Sequence, residues 1–173
     1  MLALPGWLVP IPIALPNLAW VLFPARSAPA PSVPESPAFP RVLVVIEGLG
    51  RVAVFVIPFF LRVLVRGALE ALVLVVAAVA LIVYWLGWLR YFTRGRQPSL
   101  LLAPLGGLPV PLAVAPVVYL LAFSLLAHSP LFAAVSAAFG LAHVSLSMKR
   151  WGAAQHLIAA DSASVAALLP SRR

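Results

Sequence analysis

Three long stretches of this chain carry no charged side chain, and they constrain its fold more than any other feature. They cover residues 1–25, 71–89 and 97–148. A helix crosses the hydrocarbon core of a bilayer with about 20 apolar residues. Each of the first two stretches accommodates one such helix, and the third is long enough for two. The sequence therefore predicts an all-α, polytopic transmembrane helical bundle with at least four crossings.

The composition agrees with a lipid environment. Of the 173 residues, 64% are hydrophobic and only 9% are charged, whereas a soluble domain has about 25% charged residues. The net charge of +8 would suggest a nucleic-acid partner in a soluble protein. Here the basic residues flank apolar segments, as they do in cytoplasmic loops of membrane proteins. We therefore expect the lipid bilayer as the main partner and no nucleic acid.

A fifth crossing depends on residues 41–62, which are apolar except for Glu47 and Arg51. The count of basic residues favours this crossing, because short cytoplasmic loops concentrate Arg and Lys. With five crossings, nine basic residues face one side and two, Arg62 and Arg66, face the other. Without this crossing, seven basic residues face one side and five face the other. The nine are Arg26, Arg41, Arg90, Arg94, Arg96, Lys149, Arg150, Arg172 and Arg173.

This charge pattern predicts an outer N-terminus and a cytoplasmic C-terminus. All basic residues except Lys149 are Arg, and the chain is rich in Ala, Val and Pro. Such a composition is typical of a GC-rich bacterial genome. We therefore expect a multipass protein of the bacterial cytoplasmic (inner) membrane.

The predicted spans cover residues 2–23, 41–62, 68–89, 109–127 and 131–146. The first span lacks the basic start of a signal peptide, so we interpret it as a retained helix, bent by its prolines. A proline-rich loop, residues 24–40, follows it, with a proline at every third position from Pro31 to Pro40. That repeat is typical of polyproline II and suits a stiff spacer or a docking strip for a partner. The chain divides into a bundle, residues 1–147, and a cytoplasmic tail, residues 148–173.

Two helices carry further patterns. The third ends in aromatic residues typical of a membrane-interface belt, namely Tyr84, Trp85, Trp88, Tyr91 and Phe92. The fifth contains small residues that let helix backbones approach closely in lipid, namely Ala133, Ala134, Ala137, Ala138 and Gly140. We expect the fifth helix at the centre of the bundle and as the surface for a protein partner or a homo-oligomer.

Three segments resemble features of uncharacterised small multipass bacterial membrane proteins. They are residues 88–96 (WLRYFTRGR), 107–119 (GLPVPLAVAPVVY) and 140–145 (GLAHVS). The resemblance covers about residues 1–147 and implies a membrane bundle. It implies no activity.

Motifs of soluble enzymes are absent from the sequence. It contains no phosphate-binding G-x-x-x-x-G-K-[ST], no H-E-x-x-H and no G-x-S-x-G. It also lacks cysteine, and its three histidines, His128, His143 and His156, are far apart. We therefore predict no catalytic residues, no metal site and no cofactor.

Polar groups within the predicted spans are the candidate site, because such groups are costly in lipid and usually face a bundle interior. Glu47 and Arg51 are one helical turn apart, in the order that favours an ion pair. Glu47 and His143 each lie roughly 9 Å from the predicted cytoplasmic ends of their helices. We therefore expect both at one depth, in a polar pocket with Arg51 and Asn17.

The stripe Ser136, Gly140, His143 and Ser147 places His143 on one face of the fifth helix. The pocket rim is predicted to comprise Arg90, Tyr91, Arg94 and Arg96, which alternatively determine topology or touch lipid headgroups. The alternative for Glu47 and Arg51 is a self-neutralising pair that pins two helices, and for His143 a packing role.

Three functions fit these residues. The first is a non-enzymatic membrane protein whose cytoplasmic-side pocket binds a small anionic group, a lipid headgroup or a partner subunit. The second is a small substrate-binding subunit of a transporter. The third is a membrane enzyme acting on lipid phosphates, for which the sequence offers no recognised nucleophile.

Overall fold

The computed structural model of the chain describes residues 2–26 and 40–168. Most of the predicted proline-rich loop, with Pro31, Pro34 and Pro37, lies outside the described residues. Within the described part, two short strands and five α-helices follow one another. They are β1 Leu2–Pro5, α1 Ile11–Leu22, α2 Arg41–Val56, β2 Arg62–Val65, α3 Ala68–Thr93, α4 Pro111–Leu126 and α5 Pro130–Leu168.

The helical bundle predicted from the apolar stretches is present. Three helices are long and apolar enough to cross a membrane: α2 with the 3-10 turn that follows it (Arg41–Phe60), α3, and the first part of α5 (Pro130–His156). The first and fourth helices, Gly6–Leu22 and α4, are apolar but shorter. Proline interrupts both, at Pro16 in α1 and Pro116 in α4.

The predicted first helix is wrong at its beginning. Residues 2–5 form β1, which pairs antiparallel with β2 from Leu2 opposite Val65 to Pro5 opposite Arg62. Proline lacks a backbone donor and disfavours helical geometry in the residue before it. With Pro5 and Pro10 so close together, the chain begins extended, and the α-helix starts only at Ile11.

The strands join the beginning of α1 to the end of α2. The Gly6 N–H donates to the Leu61 carbonyl oxygen at 3.0 Å. A Cβ at Gly6 would collide with the carbonyl oxygen of Pro58, so this close approach requires glycine. We call the end of the bundle that carries β1 and β2 the sheet end, and the opposite end, where α2 begins at Arg41, the basic end.

The helices pack in the order α2–α5–α4–α3–α1, each principally against its neighbours in that series. The middle position belongs to α4, and not to α5 as expected, because α5 lies between α2 and α4. A Cβ at Gly140 of α5 would collide with Val117 of α4, so the two backbones meet closely there. Ala134, Ala137 and Ala138 are exposed instead.

The fifth helix does not end near residue 146 but continues to Leu168. Residues 147–168 contain no proline and are rich in alanine, the strongest helix former. The predicted tail is therefore a continuation of α5 over most of its length, rather than a separate segment.

Candidate functional site

Glu47 is a buried carboxylate on the inward face of α2, with 5% of its surface exposed. Its Oε1 accepts a hydrogen bond from Nη2 of Arg51 at 2.8 Å. The same oxygen lies 2.8 Å from Nδ1 of His143 on α5. The structure thus brings Glu47 into direct contact with both Arg51 and His143.

A second guanidinium completes this group. Nη2 of Arg150 lies 3.6 Å from Oε2 of Glu47. One carboxylate is thus shared by two arginines and a histidine, and we call these four residues, Glu47, Arg51, His143 and Arg150, the Glu47 cluster. With His143 neutral, the cluster carries one positive charge in excess.

The sequence prediction missed Arg150 because it ended the fifth helix too early. Arg150 follows His143 by seven residues, a spacing of two helical turns that returns to nearly the same face. Had the alanine-rich tail been interpreted as a continuation of that helix, the spacing would have shown Arg150 beside His143.

The contact with Glu47 determines which ring nitrogen of His143 carries the proton. An ionised Glu47 carboxylate can only accept a hydrogen bond, so Nδ1 of His143 is the donor. The ring also stacks on Phe139, with centroids 5.0 Å apart and planes 12° apart. Nε2 of the neutral ring then has a lone pair to accept a hydrogen bond.

A cavity of about 320 Å³ lies beside the cluster, and all five helices contribute to its wall. This volume is at the lower end of the ~300–1,000 Å³ typical of small-molecule sites. Arg51, His143 and Asn17 line it, whereas Glu47 lies behind Arg51 and His143. Most of the wall is apolar, including Val54, Leu112, Leu120 and Phe139.

Asn17 belongs to the cavity but not to the Glu47 cluster. Its Nδ2 donates to the Tyr84 hydroxyl and to the Ile13 carbonyl oxygen, both at 2.7 Å. The Tyr84 hydroxyl in turn donates to the Ile13 oxygen at 3.2 Å. These bonds attach α1 to α3. The structure thus brings three of the four predicted residues into one cluster and places the fourth on the same cavity.

Pro16, inside α1, explains a further hydrogen bond between α1 and α3. Because Pro16 has no N–H, the Pro12 carbonyl loses its intrahelical donor. Nε1 of Trp85 donates to that oxygen at 3.1 Å. The break in α1 is therefore compensated by a side chain of α3.

The predicted aromatic belt on α3 is largely wrong. Tyr84, Trp88 and Tyr91 are buried, and only Trp85 of the four Tyr and Trp residues is exposed. Tyr84 and Trp88 line the cavity. The indole N–H of Trp88 makes no well-formed hydrogen bond. The spacing of residues 84, 88 and 91 places them on one helix face. This spacing could have indicated that the three side chains belong to the core.

The predicted rim also needs correction. Arg90 donates from Nη1 to the Pro104 carbonyl oxygen at 2.6 Å, and from Nη2 to those of Leu100 and Ala103 at 2.8 and 2.6 Å. It therefore holds the loop between α3 and α4, which would otherwise leave these carbonyls unsatisfied. Tyr91 is fully buried.

The remaining rim residues, Arg94 and Arg96, lie in the turn after α3, exposed and half-buried respectively. Neither residue lines the cavity. For Arg94 and Arg96, the alternative of a contact with lipid headgroups stays a prediction. The stripe on α5 does face inward, since Ser136, Gly140 and Ser147 are all buried.

No protein-family profile, curated protein or solved structure matches this chain. The resemblance to uncharacterised multipass membrane proteins therefore stays a prediction, and the geometry of the cavity and the Glu47 cluster must carry the functional argument.

Proposed function

We propose that this chain is a non-enzymatic protein of the bacterial cytoplasmic membrane that binds a small amphiphile, a molecule with one anionic group and an apolar body. The observation that carries the proposal is the cavity itself. It is apolar over most of its wall and has Arg51 and His143 at one edge. A ligand complementary to this surface has an anionic group for Arg51 and hydrocarbon for the rest.

The charge of the Glu47 cluster favours an anion over a cation. Glu47 neutralises only one of the two arginines that reach it. The side chain of Arg51 is 57% exposed, whereas that of Glu47 is 7% exposed. An approaching ligand therefore meets a guanidinium with free donors, while the carboxylate is covered.

The membrane placement that we propose has all five helices crossing, the sheet end outside and the basic end in the cytoplasm. Of the basic residues described, Arg62 and Arg66 adjoin β2 at the sheet end. Others border helix ends at the opposite end, as cytoplasmic residues do. They are Arg26, Arg41, Arg90, Arg94 and Arg96.

This placement puts Arg51 deep in the bilayer. Arg51 follows Arg41 by ten residues of helix, or about 15 Å, which is near the middle of a hydrocarbon core of about 30 Å. An ionised side chain at that depth is costly and usually marks a functional site. Glu47 offsets part of this cost, and an anionic ligand would offset more.

The test uses octyl phosphate as the probe and octanol as its uncharged counterpart. Native mass spectrometry from mild detergent should show one octyl phosphate adduct on the wild type and none with octanol. Loss of a charge-assisted hydrogen bond lowers affinity roughly tenfold or more, so Arg51→Gln should lose most of the adduct.

Arg66→Gln is the matched control, because Arg66 is an exposed arginine outside the cavity. It should bind octyl phosphate like the wild type. Equal adducts with octanol and octyl phosphate, or an adduct unaffected by Arg51→Gln, would contradict the proposal.

A second candidate function is the substrate-binding subunit of a transporter. The two short helices, α1 and α4, favour this candidate. Pro10, just before α1, and Pro116, within α4, both line the cavity. Proline-interrupted helices that surround a cavity recur in transporter substrate sites. Copurification of an ATPase module in gentle detergent would support this candidate, and a chain that always purifies alone would contradict it.

A further inference from the structure

The two helices at the ends of the packed series are covered on one side only. Among the described helices, α2 packs principally against α5, and α1 against α3. The helices α1 and α2 barely touch each other along their lengths, and they are tied together at the sheet end through β1 and β2. The faces of α2 that turn away from α5 can therefore contact another helix in the membrane.

One of these faces carries a charge. Val44, Gly48 and Arg51 follow one another at spacings of four and three residues, which places them on one side of α2, and we call it the Arg51 face. All three residues are exposed, and the side chain of Arg51 is 57% exposed. A Cβ at Gly48 would meet no atom within 4 Å. Because small residues let helix backbones approach closely in lipid, Gly48 leaves room for a second helix beside Arg51.

The charge of Arg51 is balanced only in part. Glu47 is shared between Arg51 and Arg150, so the Glu47 cluster keeps one positive charge in excess while His143 is neutral. The Arg51 guanidinium has five N–H groups, and its bond to Glu47 uses Nη2. It can therefore bind a second carboxylate while Glu47 stays in place. In the membrane placement proposed above, this excess charge lies near the middle of the hydrocarbon core, where ionised groups usually pair with an opposite charge.

The depth of Arg51 limits the source of that opposite charge. Lipid phosphates lie at the surface of a hydrocarbon core of about 30 Å, and so about 15 Å from Arg51. A second copy of this chain offers no carboxylate at this depth, because Glu47 is buried and Glu70 lies at the sheet end, in the first turn of α3. The other acidic residues, Glu35 and Asp161, lie outside the predicted spans. A transmembrane helix of another protein can carry a carboxylate at any depth, because its backbone polar groups are satisfied within the helix.

These observations lead to a partner of specific chemistry. We propose that the Arg51 face docks a transmembrane helix of another protein, one that carries an Asp or Glu side chain near the middle of the membrane. The carboxylate of the partner binds Arg51, and the backbone of the partner helix packs against Gly48. This inference uses the membrane placement proposed above but needs no ligand in the cavity, so it goes beyond the proposed function.

The test uses a synthetic transmembrane peptide of about 20 leucine and alanine residues, with one Glu at its centre and an acceptor dye at one end. A matched peptide has Gln instead of Glu, which keeps the size of the side chain but removes the charge. The full chain carries a donor dye on Arg94→Cys, an exposed position in the turn after α3, and is reconstituted with either peptide in phosphatidylcholine vesicles. Half-maximal energy transfer should occur at a mole fraction of the Glu peptide roughly tenfold below that of the Gln peptide.

Four variants of the labelled chain locate the docking site. Arg51→Gln should abolish the preference for the Glu peptide, and Arg66→Gln, outside the Arg51 face, should preserve it. Gly48→Leu should weaken binding of the Glu peptide several-fold, because the added side chain fills the space beside Arg51. Leu49→Phe is its matched control, since Leu49 is exposed at nearly the same depth but lies about 160° away from Arg51 around the helix. It should bind the Glu peptide like the wild type.

Three results would overturn the inference. The first is equal energy transfer with both peptides, or a preference for the Glu peptide that survives Arg51→Gln. The second is a Gly48→Leu chain that binds the Glu peptide like the wild type, and this variant is decisive if circular dichroism shows that Arg51→Gln does not fold. The third is energy transfer between donor-labelled and acceptor-labelled copies of the chain at a lower mole fraction than with the Glu peptide, which would make a second copy the occupant.

The proposed function is tested separately, by the octyl phosphate adduct. If that adduct is missing while the preference for the Glu peptide remains, only the binding of an amphiphile in the cavity is refuted. If the adduct forms while the two peptides behave alike, only the docking of a helix on the Arg51 face is refuted.

Discussion

Nδ1 of His143 and Oε1 of Glu47 are 2.8 Å apart, and this contact links α5 to α2 inside the bundle. The two residues are 96 positions apart in the chain. Because Glu47 is buried, its carboxylate depends on the cluster for the hydrogen bonds that water would otherwise provide. The contact therefore serves the fold as well as the cavity edge.

His143→Ala should destabilise the protein by about 1–3 kcal/mol, because it removes a hydrogen-bond partner of a buried carboxylate. Thermal unfolding in detergent, followed by circular dichroism, measures the change. His156→Ala is the matched control, since this histidine is exposed and lies on α5 outside the Glu47 cluster. Surface substitutions of this kind change stability little, and equal effects of the two variants would contradict the role assigned to His143.

Gly140→Ala should destabilise the bundle by about 1–3 kcal/mol, since the added Cβ collides with Val117. Val117→Ala should recover part of this loss in the double variant. Gly48→Ala should be neutral or stabilising, because a Cβ there meets no atom within 4 Å and alanine is the better helix former. A destabilising Gly48→Ala with a neutral Gly140→Ala would contradict the packing of α5 against α4.

Tyr84→Phe and Asn17→Leu should weaken the attachment of α1 to α3 non-additively, because the two side chains share a hydrogen bond. A coupling of about 0.5–1.5 kcal/mol is expected for such a bond between membrane helices. A double-mutant cycle in thermal or denaturant unfolding measures it. Strictly additive effects would mean that the bond does not stabilise the pair.

Arg90→Gln should loosen the loop between α3 and α4, because three carbonyl oxygens lose their donor. The chain contains no cysteine, so a cysteine introduced at Ser99 can be labelled without background. Its reaction with a maleimide should be several-fold faster when Arg90 is replaced by Gln. The same replacement at Arg94, which is exposed, should leave the rate unchanged, and a rate insensitive to Arg90→Gln would contradict its role.

The proposed orientation can be tested with two further single cysteines. In right-side-out bacterial cells, an impermeant maleimide should label Arg66→Cys, and Arg94→Cys should react only after the membrane is permeabilised. The reverse result would invert the topology. Labelling of both positions from outside would place the two ends of α3 on one side and contradict its crossing.

The sequence was sufficient for the features that depend on one helix at a time. Apolar length predicted the bundle, and the four-residue spacing predicted the pairing of Glu47 with Arg51. Even the meeting of Glu47 with His143 followed, because depth along two antiparallel helices can be counted from their ends.

Features that depend on how several helices are rotated could not be predicted in this way. The spacing of Tyr84 and Trp88 marks one face of α3, but only the packing of the helices shows that this face borders a cavity. The pairing of β1 with β2 joins residues 2–5 to 62–65, and no local pattern predicts so distant a partner. Arg150 was within reach of helical spacing, but only after the true length of α5 was known.

That length has a mechanical consequence. From Arg150, which contacts Glu47, α5 runs on for 18 residues to Leu168, or about 27 Å of unbroken helix. A stiff rod held near one end amplifies small movements at the other. A tilt of about 10° at Arg150 would shift the far end by roughly 5 Å, on the basis of this rise per residue. A rearrangement that releases Arg150 from the Glu47 carboxylate would therefore displace the far end of α5 by several ångströms.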